Sequence, residues 1–150
     1  MTRRSGVSVS AGILAVLLVL VVTPQPSGAQ VPACAETMAV RREAPRQVGA
    51  DALGTGPWFV NADATIWALK QPWRPGTSLK TAWIKPVRST LHVTGRRLDA
   101  TAPPLQVTIP GRYAGGFQAS GVMFPTVGCW EVTATAGRST LRFVTAISAN

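Results

Sequence analysis

The chain from residue 55 onward is a succession of short runs rich in Val, Ile, Thr, Trp and Phe, and this pattern constrains its fold most. Gly and Pro clusters, such as residues 72–76 and Pro110-Gly111, separate the runs and favour turns. No long helical stripe follows residue 30, so the helical crossovers of a parallel sheet have no candidate segment. An all-β, antiparallel β-sandwich is therefore predicted. Its strands are expected at residues 58–60, 64–70, 80–85, 88–94, 104–109, 120–124, 129–135 and 139–147.

The last two runs predict a terminal hairpin, because Ala136-Gly137 supplies a tight turn between them. Successive side chains point to opposite faces of a strand, so every second residue shares a face. The apolar residues of each strand then form one inward face: Trp130, Val132 and Ala134 on the first strand, Leu141, Phe143 and Ile147 on the second. We expect these faces to make up much of the core.

The amino-terminal stretch has the layout of a secretory signal peptide. Arg3 and Arg4 precede an apolar core at residues 11–22, and the small residues Ser27 and Ala29 occupy positions −3 and −1 of the expected cleavage site. The core is shorter than the roughly 18 residues that a transmembrane helix needs, so removal is favoured over anchoring. The predicted organisation is a signal peptide at 1–29, an irregular lead-in at 30–54 and a β-sandwich domain at 55–150.

Two alternatives keep the protein on the membrane, namely an uncleaved anchor and a lipoprotein. Residues 31–34 resemble a lipobox in having Val31 at position −3 and Ala33 at −1 relative to Cys34. They depart from one at Pro32 and in the eleven residues that separate Cys34 from the apolar core. Membrane association is therefore expected only if the signal segment is retained or Cys34 is lipidated. In each case the positive-inside rule places the downstream domain outside the cytoplasm.

The two cysteines allow one bridge, Cys34 to Cys129, which an oxidising compartment would permit. Alternation places Cys129 on the same side as Glu131 and Thr133, away from Trp130. The bridge should therefore hold the lead-in against the outside of the sandwich, which is a structural role. Lipidation of Cys34 and this disulfide exclude each other, and lipidation would leave Cys129 as an unpaired thiol.

The chain is basic, and loss of Arg3 and Arg4 with the signal peptide lowers its formal net charge from +9 to +7. Such a surface attracts polyanions, although bases this dispersed also suit an ordinary solvated surface. Nucleic acid is not an expected partner, because neither interleaved aromatics nor a recognition helix accompanies the basic clusters. These clusters are Arg41-Arg42, with Arg46 nearby, and Arg96-Arg97. The residues after 29 suffice for one domain, which we expect to be a monomer.

Residues 124–133 read F-P-T-V-G-C-W-E-V-T, and this segment resembles the corner before the penultimate strand of many bacterial immunoglobulin-like domains. In such a corner the Gly allows the turn and the aromatic residue two positions later fills the core. With G-R-R-L-D at 95–99, P-P-L at 103–105 and G-F-Q at 116–118, the chain resembles an uncharacterised family of exported bacterial proteins over roughly residues 88–147. The resemblance implies an immunoglobulin-like sandwich and an export route. It transfers no catalytic residue.

Catalytic groupings are scarce in the sequence. The chain has six acidic residues and one histidine, without a G-x-S-x-G, H-E-x-x-H or calcium-loop context. We therefore predict no enzyme activity, no cofactor and no metal site. His92 alternates with Leu91 and Val93 and is therefore expected on the solvent face. As a copper ligand it would need soft or imidazole partners, and the chain has no second histidine. The alternative function is a small envelope hydrolase whose site is assembled in space around Asp99 and His92.

Trp73 and Arg74 are the candidate partner-binding residues. The chain has five tryptophans, and exposed indoles can stack on sugars or anchor a protein partner. Trp73 lies between Pro72 and Pro75, in a loop where a large ring is harder to bury than in an alternating strand. Tryptophan and arginine are common interface anchors. We therefore predict a non-catalytic exported binding or structural module of the bacterial cell envelope, with an envelope protein or polymer as its partner.

Overall fold

The computed structural model describes residues 33–46, 53–111, 113 and 115–149, so the predicted signal peptide at 1–29 lies outside the described residues. Over these ranges the chain forms strands and no helix. In chain order the strands are β1 (Val40–Glu43), β2 (Thr55–Val60), β3 (Trp67–Leu69), β4 (Leu79–Ile84), β5 (Leu91–Arg97), β6 (Gln106–Thr108), β7 (Phe117–Met123), β8 (Gly128–Ala136) and β9 (Ser139–Ile147). Each of the eight predicted strands is confirmed, with ends that shift by a few residues.

The strands form two antiparallel sheets that pack on each other. One sheet has six strands in the order β1-β2-β3-β4-β7-β6, and the other has three in the order β5-β8-β9. A common apolar core joins the two sheets, because Phe59 and Val122 of the first belong to the same buried cluster as Leu91 and Phe143 of the second. The predicted all-β sandwich is therefore confirmed. Its immunoglobulin-like character stays a prediction.

The terminal hairpin supplies the inner face that its alternation predicts. Strands β8 and β9 pair from Gly128↔Ile147 to Ala136↔Ser139, and Gly137 lies in the turn with a φ of 62°. The six predicted inward residues are all buried, with exposed fractions of 3% or less. Phe143 stacks on Phe59 of β2 with ring centroids 4.0 Å apart, so this contact connects the two sheets.

The lead-in is not wholly irregular, because it contains β1. This strand pairs with β2 from Val40↔Trp58 to Glu43↔Thr55. A second apolar cluster lies on the outer face of the six-stranded sheet, opposite to Phe59, and comprises Ala44, Trp58, Trp67, Ala82 and Ile84. The six-stranded sheet therefore buries apolar residues on both faces, whereas a two-layer sandwich usually exposes the outer one.

The register of the strands brings four connections to one end of the sandwich. In the six-stranded sheet, the end of β2 pairs with the start of β3, and the start of β3 pairs with the end of β4. The end of β4 in turn pairs with the start of β7. In the other sheet, Leu91 at the start of β5 pairs with Ala136 beside the β8–β9 turn. The β2–β3, β4–β5, β6–β7 and β8–β9 connections therefore gather here, and we call this side of the sandwich the loop end.

Candidate functional site

A cleft of about 270 Å³ opens at the loop end. The β4–β5 connection, the β6–β7 connection and the first residues of β7 line it together. Its lining combines a cation, polar groups, an aromatic ring and apolar side chains: Arg88, Thr90, Leu91, Ile109, Tyr113 and Gln118. Sequence reasoning did not predict this cleft, since its residues come from segments about 20 positions apart in the chain.

Arg88 lies in a turn whose geometry is unusual for its residue type. The Ser89 amide donates to the Pro86 carbonyl at 3.2 Å, and the Ser89 hydroxyl donates to the same oxygen at 2.6 Å. Arg88 has a φ of 62° within this turn, in the left-handed region that glycine adopts most readily. A non-glycine residue there costs roughly 1 to 2 kcal/mol. The exposed guanidinium is thus presented at the cleft by a strained backbone.

Lys85, which follows β4, is a buried cation behind the cleft. Its side chain is nearly inaccessible, with a residue exposure of 1%, and its ammonium donates to the carbonyls of Tyr113 at 3.1 Å and Gly115 at 3.0 Å. Burial lowers the pKa of the Lys85 ammonium. Neither Lys85 nor Arg88 forms a salt bridge with any described carboxylate. Lys85 therefore fixes the connection that carries Tyr113 and adds positive charge behind it.

Gln118 and Tyr113 give the cleft two further kinds of contact. Gln118 is buried, and its amide nitrogen donates to the Ala119 carbonyl at 3.0 Å, which leaves its amide oxygen without a donor among the described residues. Tyr113 is 44% exposed, and its ring packs edge-on against Phe117 with centroids 6.1 Å apart. The cleft can therefore offer a hydrogen-bond acceptor, an aromatic surface and a cation to one small ligand.

The structure places the predicted site residue Trp73 inside the core, so its prediction as a ring outside the core is wrong. Its residue exposure is 7%, and its ring stacks on Phe59 and Phe143 with centroids 6.5 and 6.2 Å away. The loop turns inward because Pro75 forms an isolated bridge to Phe124, and the Gly76 amide donates to the Phe124 carbonyl at 2.8 Å. The 7% of Trp73 that is exposed lies at the second cleft described below.

Arg74 remains exposed, and its neighbours form a shallow second cleft of about 270 Å³ at the opposite end of the sandwich. Lys70 and Glu36 line this cleft as well, and they form an ion pair of 3.7 Å with side chains more than one-third exposed. Such exposed pairs contribute little to stability. Of the predicted pair, only Arg74 has an exposed side chain. The nearby charges of Lys70 and Glu36 already partly neutralise each other.

The predicted disulfide between Cys34 and Cys129 is confirmed, with the two Cα atoms 5.4 Å apart. The lead-in beside it runs along the free edge of β9. The Thr37 amide donates to the Val144 carbonyl at 2.9 Å, and the Ala146 amide donates to a Glu36 carboxylate oxygen at 2.8 Å. The bridge therefore holds the lead-in on the outside of the three-stranded sheet, and it covers an edge that could otherwise pair with another strand.

Peptide mapping without reduction should recover a cross-linked pair of peptides that contain Cys34 and Cys129 in protein exported by its host. The reason is that a bridged Cys34 has no thiol left for a lipid. The same digest after reduction and alkylation is the control, in which the linked mass should be replaced by two alkylated peptides. A diacylglycerol-modified Cys34 at the new amino terminus, together with a free Cys129, would contradict the bridge.

Asp99 and His92, which the hydrolase alternative brings together, are far apart. His92 is exposed near the start of β5, whereas Asp99 follows the end of this strand, roughly 20 Å further along at the rise of an extended chain. Asp99 is engaged by Arg97, whose Nε donates to its carboxylate at 2.6 Å. This hydrogen bond, more than any other contact, lowers the pKa of Asp99. Asp99 and His92 therefore do not come together in the common site that the hydrolase alternative needs.

No group of three or more His, Cys, Asp or Glu side chains among the described residues is arranged to hold a metal ion. The same residues form no helix that is long and apolar enough to cross a membrane.

Comparison of the chain with protein-family models, with curated proteins and with solved structures finds no match. The resemblance to a family of exported bacterial proteins therefore stays a prediction. Function has to be argued from the geometry of the loop end.

Proposed function

We propose that this protein is a non-catalytic binding module that acts outside the cytoplasm, at the bacterial cell envelope. The observation that carries the proposal is the loop-end cleft, which is lined by the strained Arg88, the half-exposed Tyr113 and the buried Gln118. Loops held on a rigid sandwich are common sites of recognition. A cleft with mixed polar and apolar lining suits binding of one chemical group.

The strand order supports an immunoglobulin-like reading of this module. Seven of the strands, in the orders β3-β4-β7-β6 and β5-β8-β9, follow the arrangement of a constant-type immunoglobulin sandwich, with β1 and β2 added at one edge. In that arrangement the B–C, D–E and F–G connections share one end, and here they correspond to the connections of the loop end. The proposed site thus lies where related architectures carry their recognition loops.

The disulfide supports the proposed location. A Cys34–Cys129 bridge persists in an oxidising compartment and is rare in the cytosol. Together with the signal-peptide layout of the first 29 residues, this favours a protein secreted or held at the envelope. The partner is proposed to be an envelope polymer, because the cations of the loop end favour an anionic chain over a neutral one.

A retention assay tests the proposed function. Purified protein is immobilised and incubated with the soluble polysaccharide fraction of the host envelope at roughly 0.15 M salt, where attraction between exposed charges is screened beyond about 8 Å. We expect the protein to retain polymer and to leave its chain-length distribution unchanged in size-exclusion chromatography. Beads without protein provide the control. Shortened polymer would support a hydrolase instead, and absence of retention would exclude the envelope polymer as the partner.

A further inference from the structure

We propose that the loop-end cleft binds a sugar residue that carries a carboxylate, as a single unit within an acidic polysaccharide. The inference rests on the proposed function, because it names the chemistry that the binding module would recognise. Three independent features of the cleft carry it: the Arg88 guanidinium, which pairs with no described carboxylate, the aromatic and apolar lining, and the buried Gln118 amide.

The Arg88 guanidinium at the cleft favours an anionic ligand group. Arg88 and Lys85 have no carboxylate partner among the described residues. The described carboxylate of the loop end belongs to Asp63, and it already accepts from the Thr65 hydroxyl at 2.8 Å and the Thr65 amide at 3.3 Å. A ligand carboxylate beside Arg88 would pair with its guanidinium, which can hold it with two parallel hydrogen bonds.

The walls of the cleft argue for a ring rather than a bare anion. Leu91, which is buried, and Ile109, which is half-buried, both line the cleft and add apolar surface to it. Lys85 donates to the Tyr113 backbone carbonyl, and the Phe117 ring packs against the Tyr113 ring in a T-shaped contact. Such a surface contacts the apolar face of a sugar ring favourably. A phosphate or sulfate ion would leave it unused.

The polar groups and the volume limit the ligand to one ring. The amide oxygen of Gln118, which accepts from no described residue, can accept from a sugar hydroxyl, and the exposed Thr90 hydroxyl of the cleft can donate or accept. The volume of about 270 Å³ lies just below the range in which drug-sized ligands are enclosed. One sugar unit therefore enters the cleft while its neighbours along the polymer remain in solvent.

The backbone of Arg88 adds a separate argument for function. Glycine would occupy the left-handed turn position without strain, so arginine is present there at a cost in stability. The two Ser89 hydrogen bonds hold the turn but do not involve the Arg88 side chain, which forms no ion pair with a described residue. A ligand that pairs with the guanidinium explains why the strained residue bears a long cationic side chain.

Titration of the purified protein with glucuronic acid, followed by two-dimensional NMR or calorimetry, tests the proposal. We expect a dissociation constant on the order of 1 mM, as befits one small sugar. Arg88→Gln and Arg88→Gly should each weaken binding by at least about tenfold, the usual scale for loss of a charge-assisted contact. Arg74→Gln removes the same charge at the opposite end and should leave binding unchanged. Arg88→Gly should melt no lower than the wild type, which separates loss of binding from loss of folding.

Two competitors and the retention assay complete the test. Glucose, which lacks the carboxylate, should bind at least about tenfold more weakly than glucuronic acid, and inorganic phosphate should not displace glucuronic acid. Equal binding of glucose and glucuronic acid, equal losses for Arg88→Gln and Arg74→Gln, or full displacement by phosphate would each overturn the proposal. If envelope polymer is retained but glucuronic acid does not bind, the sugar chemistry is wrong and the binding function stands. If neither is bound, the proposed function fails as well.

Discussion

Replacing Trp73 by alanine is expected to lower the free energy of unfolding by about 3 to 5 kcal/mol, the range for removal of a large buried aromatic ring. The ring is stacked between neighbours in the core and packs edge-on against Phe124 with centroids 5.5 Å apart. Its indole N–H also donates to the hydroxyl of Thr81 at 3.3 Å, and that hydroxyl is itself buried. Urea unfolding followed by tryptophan fluorescence and by circular dichroism measures the loss.

Arg74→Ala is the matched control for this variant, since it alters the next residue of the same loop. The Arg74 side chain is exposed and makes no salt bridge with a described residue, so its removal should change stability by no more than about 0.5 kcal/mol. Similar midpoints for wild type and Trp73→Ala would show that the ring is outside the core. That outcome would restore Trp73 as a binding candidate.

The contrast between Trp73 and the terminal hairpin shows what local sequence pattern can predict. In β8 and β9, alternation and a Gly-containing turn are both local, and they identify the inward face residue by residue. The direction of Trp73 depends instead on the bridge between Pro75 and Phe124, two residues 49 positions apart in sequence. A pattern within the loop carries no information about that distant partner.

The lead-in illustrates a second limit of sequence reasoning. Strand β1 reads Val-Arg-Arg-Glu and all four residues are exposed, so it lacks the apolar alternation that marks a half-buried strand. It forms because β2 offers it a sheet edge and because the disulfide and Thr37 hold the preceding residues along β9. The cysteine count predicted the bridge. The pairing of β1 depends instead on backbone N–H and C=O groups, which do not distinguish one sequence from another.

The loop-end cleft was missed because its chemistry is distributed over two connections and the start of a strand. One local signal does point to it: Pro86-Val87-Arg88-Ser89 is a turn in which the third position favours glycine and holds arginine. A second signal is Lys85, the lysine directly after the apolar strand β4. It stands two positions after Trp83, so its side chain points to the same inner face of the sheet. Neither signal identifies a ligand without the position of Tyr113 and Gln118.

Trp130→Ala is expected to destabilise the protein by about 3 to 5 kcal/mol, because the ring is completely buried between the sheets. The Trp130 ring packs edge-on against Phe124 with centroids 5.5 Å apart. Its indole N–H donates to the Thr126 carbonyl at 3.0 Å, which ties the corner before β8 to the core. Gly128 shapes that corner with a φ of 133°, and the guanidinium of Arg97 occupies the space where a Cβ atom would lie. Thermal and urea unfolding of wild type and variant measure the effect.

Two companion variants divide the Trp130 effect into its parts. Trp130→Phe keeps most of the buried ring but loses the hydrogen bond to Thr126, so it should cost about 1 to 3 kcal/mol, less than alanine. Val127→Ala changes a neighbouring residue that is 42% exposed and should alter stability by no more than about 0.5 kcal/mol. An unfolding curve for Trp130→Ala that coincides with the curve for Val127→Ala would place the ring outside the core. Because β8 pairs with both β5 and β9, the inner face of the whole three-stranded sheet would then be misassigned.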